Sequence, residues 1–141
     1  MHPNPLFRSE DHALMREWIG RAAFGMVFLT TPEGPRVAHT PFVMRDENRL
    51  QFHLARGNAL TRSLEGATAL AVINGPDGYI SPRWYDNRDT VPTWDYVAIE
   101  MEGPVRRIAD DELDTLLYDL IDTHERRIEG DRWSAGEASE P

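Results

Sequence analysis

The 141-residue sequence contains neither cysteine nor lysine. Without thiols there are no disulfides, no thiolate metal centres and no cysteine nucleophiles, a composition compatible with a reducing cytoplasm, which is the expected location. Without lysine, Schiff-base chemistry is excluded and guanidinium is the only permanent side-chain cation, present in fifteen copies. No apolar run approaches the length of a membrane span. The opening "MHPNPLFRSEDH" lacks the basic and apolar regions of a secretory leader, so a soluble, untargeted protein is expected. A Walker loop, G-x-G-x-x-G, H-E-x-x-H and G-x-S-x-G are also missing, which leaves nucleoside-triphosphate and zinc-hydrolase chemistry without support. Basic charge is scarce as well. The formal net charge is −9, and residues 101–141 hold five Arg against twelve acids. Neither part of the chain can neutralise a row of nucleic-acid phosphates, so direct nucleic-acid binding is disfavoured, while the first hundred residues keep room for one small anion.

The length fits one domain with its own core. Residues 9–22 carry Leu14, Met15, Trp18, Ile19 and Ala22 at helical spacing behind Ser9, which predicts an amphipathic helix capped by that serine. "FGMVFLTT", "RVAHTPFVM" and "RLQFHLA" read as three strands separated by the turn sequences "PEGP" and "DEN"; links this short require antiparallel pairing. "RGNALTRSLEG" reads as a loop and short helix, "ATALAVI" as an apolar strand ending at "NGPDG", and "YVAIEMEGPVRRI" as a further strand with a bulge or edge at Gly103 and Pro104. A last helix, capped by Asp110, lines up Leu113, Leu116, Leu117, Leu120, Ile121, His124 and Ile128 before Gly130. Strands in a meander with helices at their ends predict an α+β domain built on an antiparallel barrel or sandwich.

Three constellations bear on chemistry. If Phe42 and Met44 share a face with Leu50, Phe52 and Leu54, the paired residue numbers sum to an even value, and His39 and His53 point together to the opposite face. That pair either lines a ligand or is two satisfied imidazoles; no third metal ligand is evident and no metal is expected. In "ARGNALTRSL", Arg56, Asn58, Thr61 and Arg62 crowd the entry to a short helix, an arrangement that suits a phosphate cradle or, more plainly, a solvated turn. Residues 77–96, "DGYISPRWYDNRDTVPTWDY", hold three Tyr and two Trp where a chain reversal needs none; these rings have the core, a partner subunit or a flat ligand to lie against. No side chain presents itself as an obligatory catalytic acid or base.

"NPLFRSED", "AHTPFVM", "LQFHLARGNA", "GPDGYISPRWY", "VPTWDY" and "HERR", in this order over nearly the whole chain, resemble the PaiB family of FMN-binding negative transcriptional regulators. The resemblance implies an antiparallel split β-barrel with flanking helices, similar to the pyridoxamine-phosphate oxidases, and a homodimer with FMN at the subunit boundary. By motif, Arg56 and Asn58 would serve the FMN phosphate, Ala38, His39 and Thr40 would run along the flavin with His53 beside them, and Trp84, Tyr85, Thr93, Trp94 and Tyr96 would close the site. Two departures stand out: Ala59 replaces the family's proline after "ARxN", and Asp95 replaces an asparagine. An acid near a flavin phosphate is unfavourable, so Asp95 is expected to face elsewhere or to pair with an Arg. The family also continues past the segment resembled by "RWSAGEASEP", so a single FMN-binding domain over residues 1–141 that lacks the family's C-terminal segment is expected. Functionally, the resemblance implies a flavin-dependent regulatory or redox module; the alternative is an oxidoreductase acting on a small molecule, and a domain that has lost its cofactor is a third reading.

Overall fold

A computed structural model describes residues 4–138. Helix α1 (His12–Ala22) leads into strands β1 (Phe24–Thr31), β2 (Gly34–Met44) and β3 (Leu50–Phe52). They are followed by β4 (Thr68–Ile80), β5 (Thr93–Pro104) and helix α2 (Asp110–Glu125). The strands form one antiparallel sheet in the order β3-β2-β1-β4-β5. Side chains alternate across it. Val27, Leu29, Ala38, Phe42, Ala69, Ala71, Ile73 and Ile99 point to the inner face and make the core, which Ile19, Met15 and Trp18 of α1 cover. Leu50 and Phe52 of one edge strand and Met101, Gly103 and Pro104 of the other line a single cavity of about 110 Å³. The two edges therefore curl toward each other without pairing, which makes the sheet a split barrel. Among the described residues no helix is long and apolar enough to cross a membrane.

Local chemistry sets the element ends. The cap of α1 is Asp11, not Ser9: its carboxylate accepts from the Leu14 N–H at 2.9 Å, while Ser9 Oγ accepts from the Asp11 N–H at 3.1 Å. Helix α1 ends on Ala23 in the left-handed region, φ 50°, with its N–H on the Ile19 carbonyl. Arg127 donates to the Gly20 and Arg21 carbonyls at this C-terminus, Glu125 accepts from the Trp133 N–H, and Arg126 pairs with Asp122; "HERR" is thus largely a structural clasp. Helix α2 starts at Asp110, the residue expected to be its cap. Ala109 precedes it with no side-chain acceptor, and Glu112 reaches back to the Ala109 N–H. It buries Leu116 and Leu120 and ends at Glu125, which leaves Ile128 outside the stripe and exposed. An ion pair between Arg45 and Asp119 ties α2 to the β2–β3 hairpin. In that hairpin's turn, the Asn48 N–H and then the Arg49 guanidinium donate to Asp46 and hold its carboxyl below its ordinary range. A carboxyl lowered this way supports the turn above its unfolded pKa, and that support is lost as pH falls through the folded one.

Strand β4 runs four residues past the sequence "NGP", to Ile80, rather than stopping there. A one-residue bulge between Asn74 and Asp77 absorbs the irregularity, and pairing then resumes at Asp77↔Tyr96. Gly75 makes this possible: a Cβ there would sit 2.8 Å from Val97 Cβ. Of the bulge or edge expected at Gly103 and Pro104, the edge is found: β5 is the last strand of the sheet, and both residues stay in register with Ala69 and Thr68 without a bulge.

Gly25 is the tightest point of the core, where a Cβ would lie 2.5 Å from the Val72 carbonyl oxygen and 2.7 Å from the Phe42 ring; at Gly20, on the exposed side of α1, it would meet nothing within 4 Å. Gly25→Ala should therefore destabilise the fold by about 1–3 kcal/mol through overpacking. Gly20→Ala should stabilise it by up to about 1 kcal/mol through helix propensity. Urea unfolding of the two variants checks the opposite signs.

Candidate functional site

The neighbourhood of Arg56 is built by a proline. The Phe42 N–H donates to the Ala23 carbonyl at 2.9 Å, so even-numbered residues of β2 bond toward β1 and odd-numbered ones toward β3. The β2–β3 register is Phe42↔Phe52, Val43↔Gln51 and Met44↔Leu50, an even sum as expected, and its continuation sets Pro41 opposite His53. Proline has no N–H to give. The His53 carbonyl instead accepts from the buried Thr40 hydroxyl at 2.7 Å, and β3 ends at Phe52, three residues short of the expected "FHLA" strand end. Released from the ladder, the chain turns over residues 55–61. The Asn58 N–H and the Thr61 hydroxyl both donate to the Ala55 carbonyl, and the Thr61 N–H donates to the Asn58 carbonyl.

Asn58 Oδ1 accepts from the Leu60 N–H at 3.0 Å, which leaves its amide hydrogens as donors. Among the described residues Arg56 and Arg62 have no hydrogen bond or ion pair, and a Cβ built on Gly57 would meet nothing within 4 Å. His53 Nδ1 is buried and has no hydrogen-bond partner among the described residues. The expected helix entry is not there. Residues Thr61–Ser63 make one 3-10 turn, too short to sum a useful dipole, so an anion at this turn would meet side chains and loop N–H groups without a helix dipole. Within six residues the chain thus carries a free guanidinium fork, amide donors, open space at a glycine and an unsatisfied buried nitrogen, groups of the kind that suit a multiply charged oxyanion such as a phosphate.

The other expected residues lie elsewhere. Ala38 and Thr40 are buried on the inner face, whereas His39 is exposed on the outer face opposite Met26. His39 and His53 share the odd-numbered side of the hairpin by register; His39 is exposed and His53 is half-buried. Among the described residues no group of three or more metal-ligating side chains gathers. Thr93, Trp94 and Tyr96 sit on β5 opposite Ile80, Tyr79 and Asp77, and Trp94 meets Tyr79 edge to face at 6.2 Å. Trp84 and Tyr85 follow at the 3-10 turn Pro82–Trp84, whose Ser81 cap accepts from the Arg83 N–H. None of these aromatics is core: Trp84 is 68 % exposed, Trp94 59 % and Tyr96 62 %, with Trp94 and Tyr96 on a strand and Trp84 and Tyr85 in the connection between β4 and β5. Asp95 alternates to the opposite side of β5 from Trp94 and Tyr96, and no ion pair holds it among the described residues.

The Arg56 turn and the aromatic hairpin do not converge within one chain. The turn follows β3 at one edge of the sheet, and the hairpin is the far end of β4 and β5 at the other. Across the seam β3 faces Met101, and Trp94 lies seven residues further along β5, roughly 23 Å on an extended strand. Pro41 and the hydroxyl of Thr40 as a substitute donor were missed by the motif reading. A proline inside a strand that reads as central was the available signal.

The model of the family described as "Putative FMN-binding domain" matches residues 1–141. The curated "Protease synthase and sporulation protein PAI 2" of Bacillus subtilis is 34% identical over 108 residues, 74% of this chain and 52% of that protein. "Uncharacterized protein YKL070W" of Saccharomyces cerevisiae is 37% identical over 110 residues, 70% of this chain and 65% of that one. The chain thus spans between half and two thirds of the length of these relatives. Among solved structures, the FAD and heme binding protein from Mycobacterium smegmatis superposes with TM-score 0.68 at 22% identity, covering 92% of this chain and 62% of that one. The flavocytochrome Anf3 from Azotobacter vinelandii does so with TM-score 0.55 at 18% identity, covering 96% and 66%. At these identities the two structures establish the shared fold.

Proposed function

This chain belongs to the FMN-binding family of the PaiB type, and from that premise we propose that it is a cytoplasmic, homodimeric flavin module with a regulatory or redox output. FMN is the cofactor, and when bound it supplies an electron-accepting ring. The observation that carries the reading is Arg56, a guanidinium without a partner among the described residues, beside the open Gly57 and the unpartnered His53 Nδ1. Arg56 grips the phosphate as a two-pronged donor, Asn58 adds its amide hydrogens, and His53 closes the inner side. Ala38 and Thr40 brace β2 from within while His39 presents the outer side of the strand.

The second copy enters because the two halves of the site stand apart in one chain. Trp84, Tyr85, Trp94, Tyr96 and Thr93 offer a flat, polar-tipped wall at one end of the molecule and the Arg56 turn lies at the other. A partner's hairpin laid near this turn would complete an enclosed site and cover aromatics too exposed for a lone chain. An output through direct DNA contact is disfavoured by the charge of −9, which points to regulation through a partner or through flavin state.

Arg56→Ala should weaken FMN binding while leaving riboflavin binding nearly unchanged. A charge-assisted contact is worth about 1.5–3 kcal/mol, hence roughly ten- to more than a hundredfold in affinity. Equal losses for both ligands would move the phosphate site elsewhere. Sedimentation at micromolar concentration should show a dimer, and a monomer with and without FMN would contradict the two-chain site. In the same samples, bleaching of the flavin bands by a reduced nicotinamide would favour the alternative, an oxidoreductase acting on a small molecule.

A further inference from the structure

We infer that Thr40 is a positioning residue for the phosphate side of the site: its hydroxyl replaces the N–H that Pro41 cannot supply, and so fixes where the chain leaves β2 to form the Arg56 turn. The inference rests on the proposed role of Arg56 for its functional half only. Thr40 is one of the few buried polar residues, 1 % exposed, in a core of aliphatic side chains. A buried hydroxyl needs a partner, and a buried carbonyl needs a donor. Here each serves the other: Thr40 Oγ1 donates to the His53 carbonyl at 2.7 Å, whereas its contact with the Pro41 carbonyl at 3.4 Å is marginal.

The register shows why this bond sits where it does. Odd-numbered β2 residues bond toward β3, and continuation of Phe42↔Phe52 pairs position 41 with His53. With any other residue at 41, a backbone N–H would reach the His53 carbonyl and the ladder would run on through His53. The proline ends pairing, and the threonine one residue earlier pins the departing chain at a single point. A point contact fixes position and leaves the direction of the following residues free to be set by the turn over 55–61. Arg56 lies three residues after the pinned carbonyl, and His53 itself carries the unpartnered Nδ1. Thr40, Pro41 and His53 thus form one device with the Arg56 turn, although the motifs "AHTPF" and "FHLARGN" are separate in sequence.

The test is a double-mutant cycle in the full chain, read first without FMN. Thr40→Val removes the donor and should lower the urea midpoint by roughly 0.5 M or more. Pro41→Ala restores a backbone N–H at the same carbonyl, so Thr40→Val in that background should cost less than half as much. Equal losses in both backgrounds would overturn the device. Thr40→Ser keeps the hydroxyl and should restore the wild-type midpoint, which separates donor loss from general misfolding; a serine variant as unstable as the valine variant would also overturn it. The second reading is the ratio of FMN to riboflavin affinity. Thr40→Val should reduce that ratio about fivefold or more toward the value for Arg56→Ala, with Thr40→Ser near wild type. If Arg56→Ala changes the ratio and Thr40→Val does not, the positioning role fails while the phosphate site stands. If Arg56→Ala leaves the ratio unchanged, the phosphate site fails and the ligand-free cycle still decides the device.

Discussion

Pro41 lacks one N–H, and much of the candidate site follows from that. A central strand flanked on both sides is an unusual place for proline, since each of its N–H groups has a carbonyl waiting. The cost falls on the His53 carbonyl, and the Thr40 hydroxyl meets it without extending the ladder. β3 is consequently only three residues long, the chain peels away from the sheet, and a turn bearing Arg56, Gly57 and Asn58 projects at the edge. Had pairing continued, those residues would have lain in a strand, with alternate side chains directed to opposite faces and no common target.

The opposite edge solves a different problem. β4 and β5 extend well past the barrel as a long hairpin, and the bulge at Gly75 lets them twist over Trp18 of α1 before running on to the exposed rings. An extension of this kind buries little within its own chain and presents Tyr79, Trp84, Trp94 and Tyr96 outward. Anion grip and aromatic wall therefore occupy opposite ends of one sheet. The proposed two-chain site follows from that separation, because two-fold pairing would bring one end of a chain to the other end of a second.

The alternation of β1 and the even register of β2 with β3 were readable because both depend on period-two patterning, which β1 shows along its whole length and β2 from Ala38 to Phe42. The capping of α1 was misplaced by two residues, since Ser9 and Asp11 are both good acceptors and only the geometry of the first turn chooses between them. "NGPDG" was read as a stop because local turn propensity favours it; the long pairing with β5 overrides that preference. The short helix after Asn58 shrank to a 3-10 turn, as three residues cannot sustain the ladder that a dipole requires. Arg56 and Asn58 were legible as a pair of donors. That His53 would be left with a buried nitrogen and no partner was not, because orphaned atoms depend on three-dimensional packing that no spacing encodes.

The claim on which the rest depends is that this chain binds FMN, with rings close enough to the flavin to affect it. A fluorescence titration of FMN with the purified full chain tests it directly, because stacked Trp and Tyr quench flavin emission. Saturable quenching that ends at one FMN per chain is the predicted result. Emission that stays unquenched, with no saturable binding at concentrations up to about 1 mM, the weak limit of specific recognition at roughly −4 kcal/mol, would contradict it.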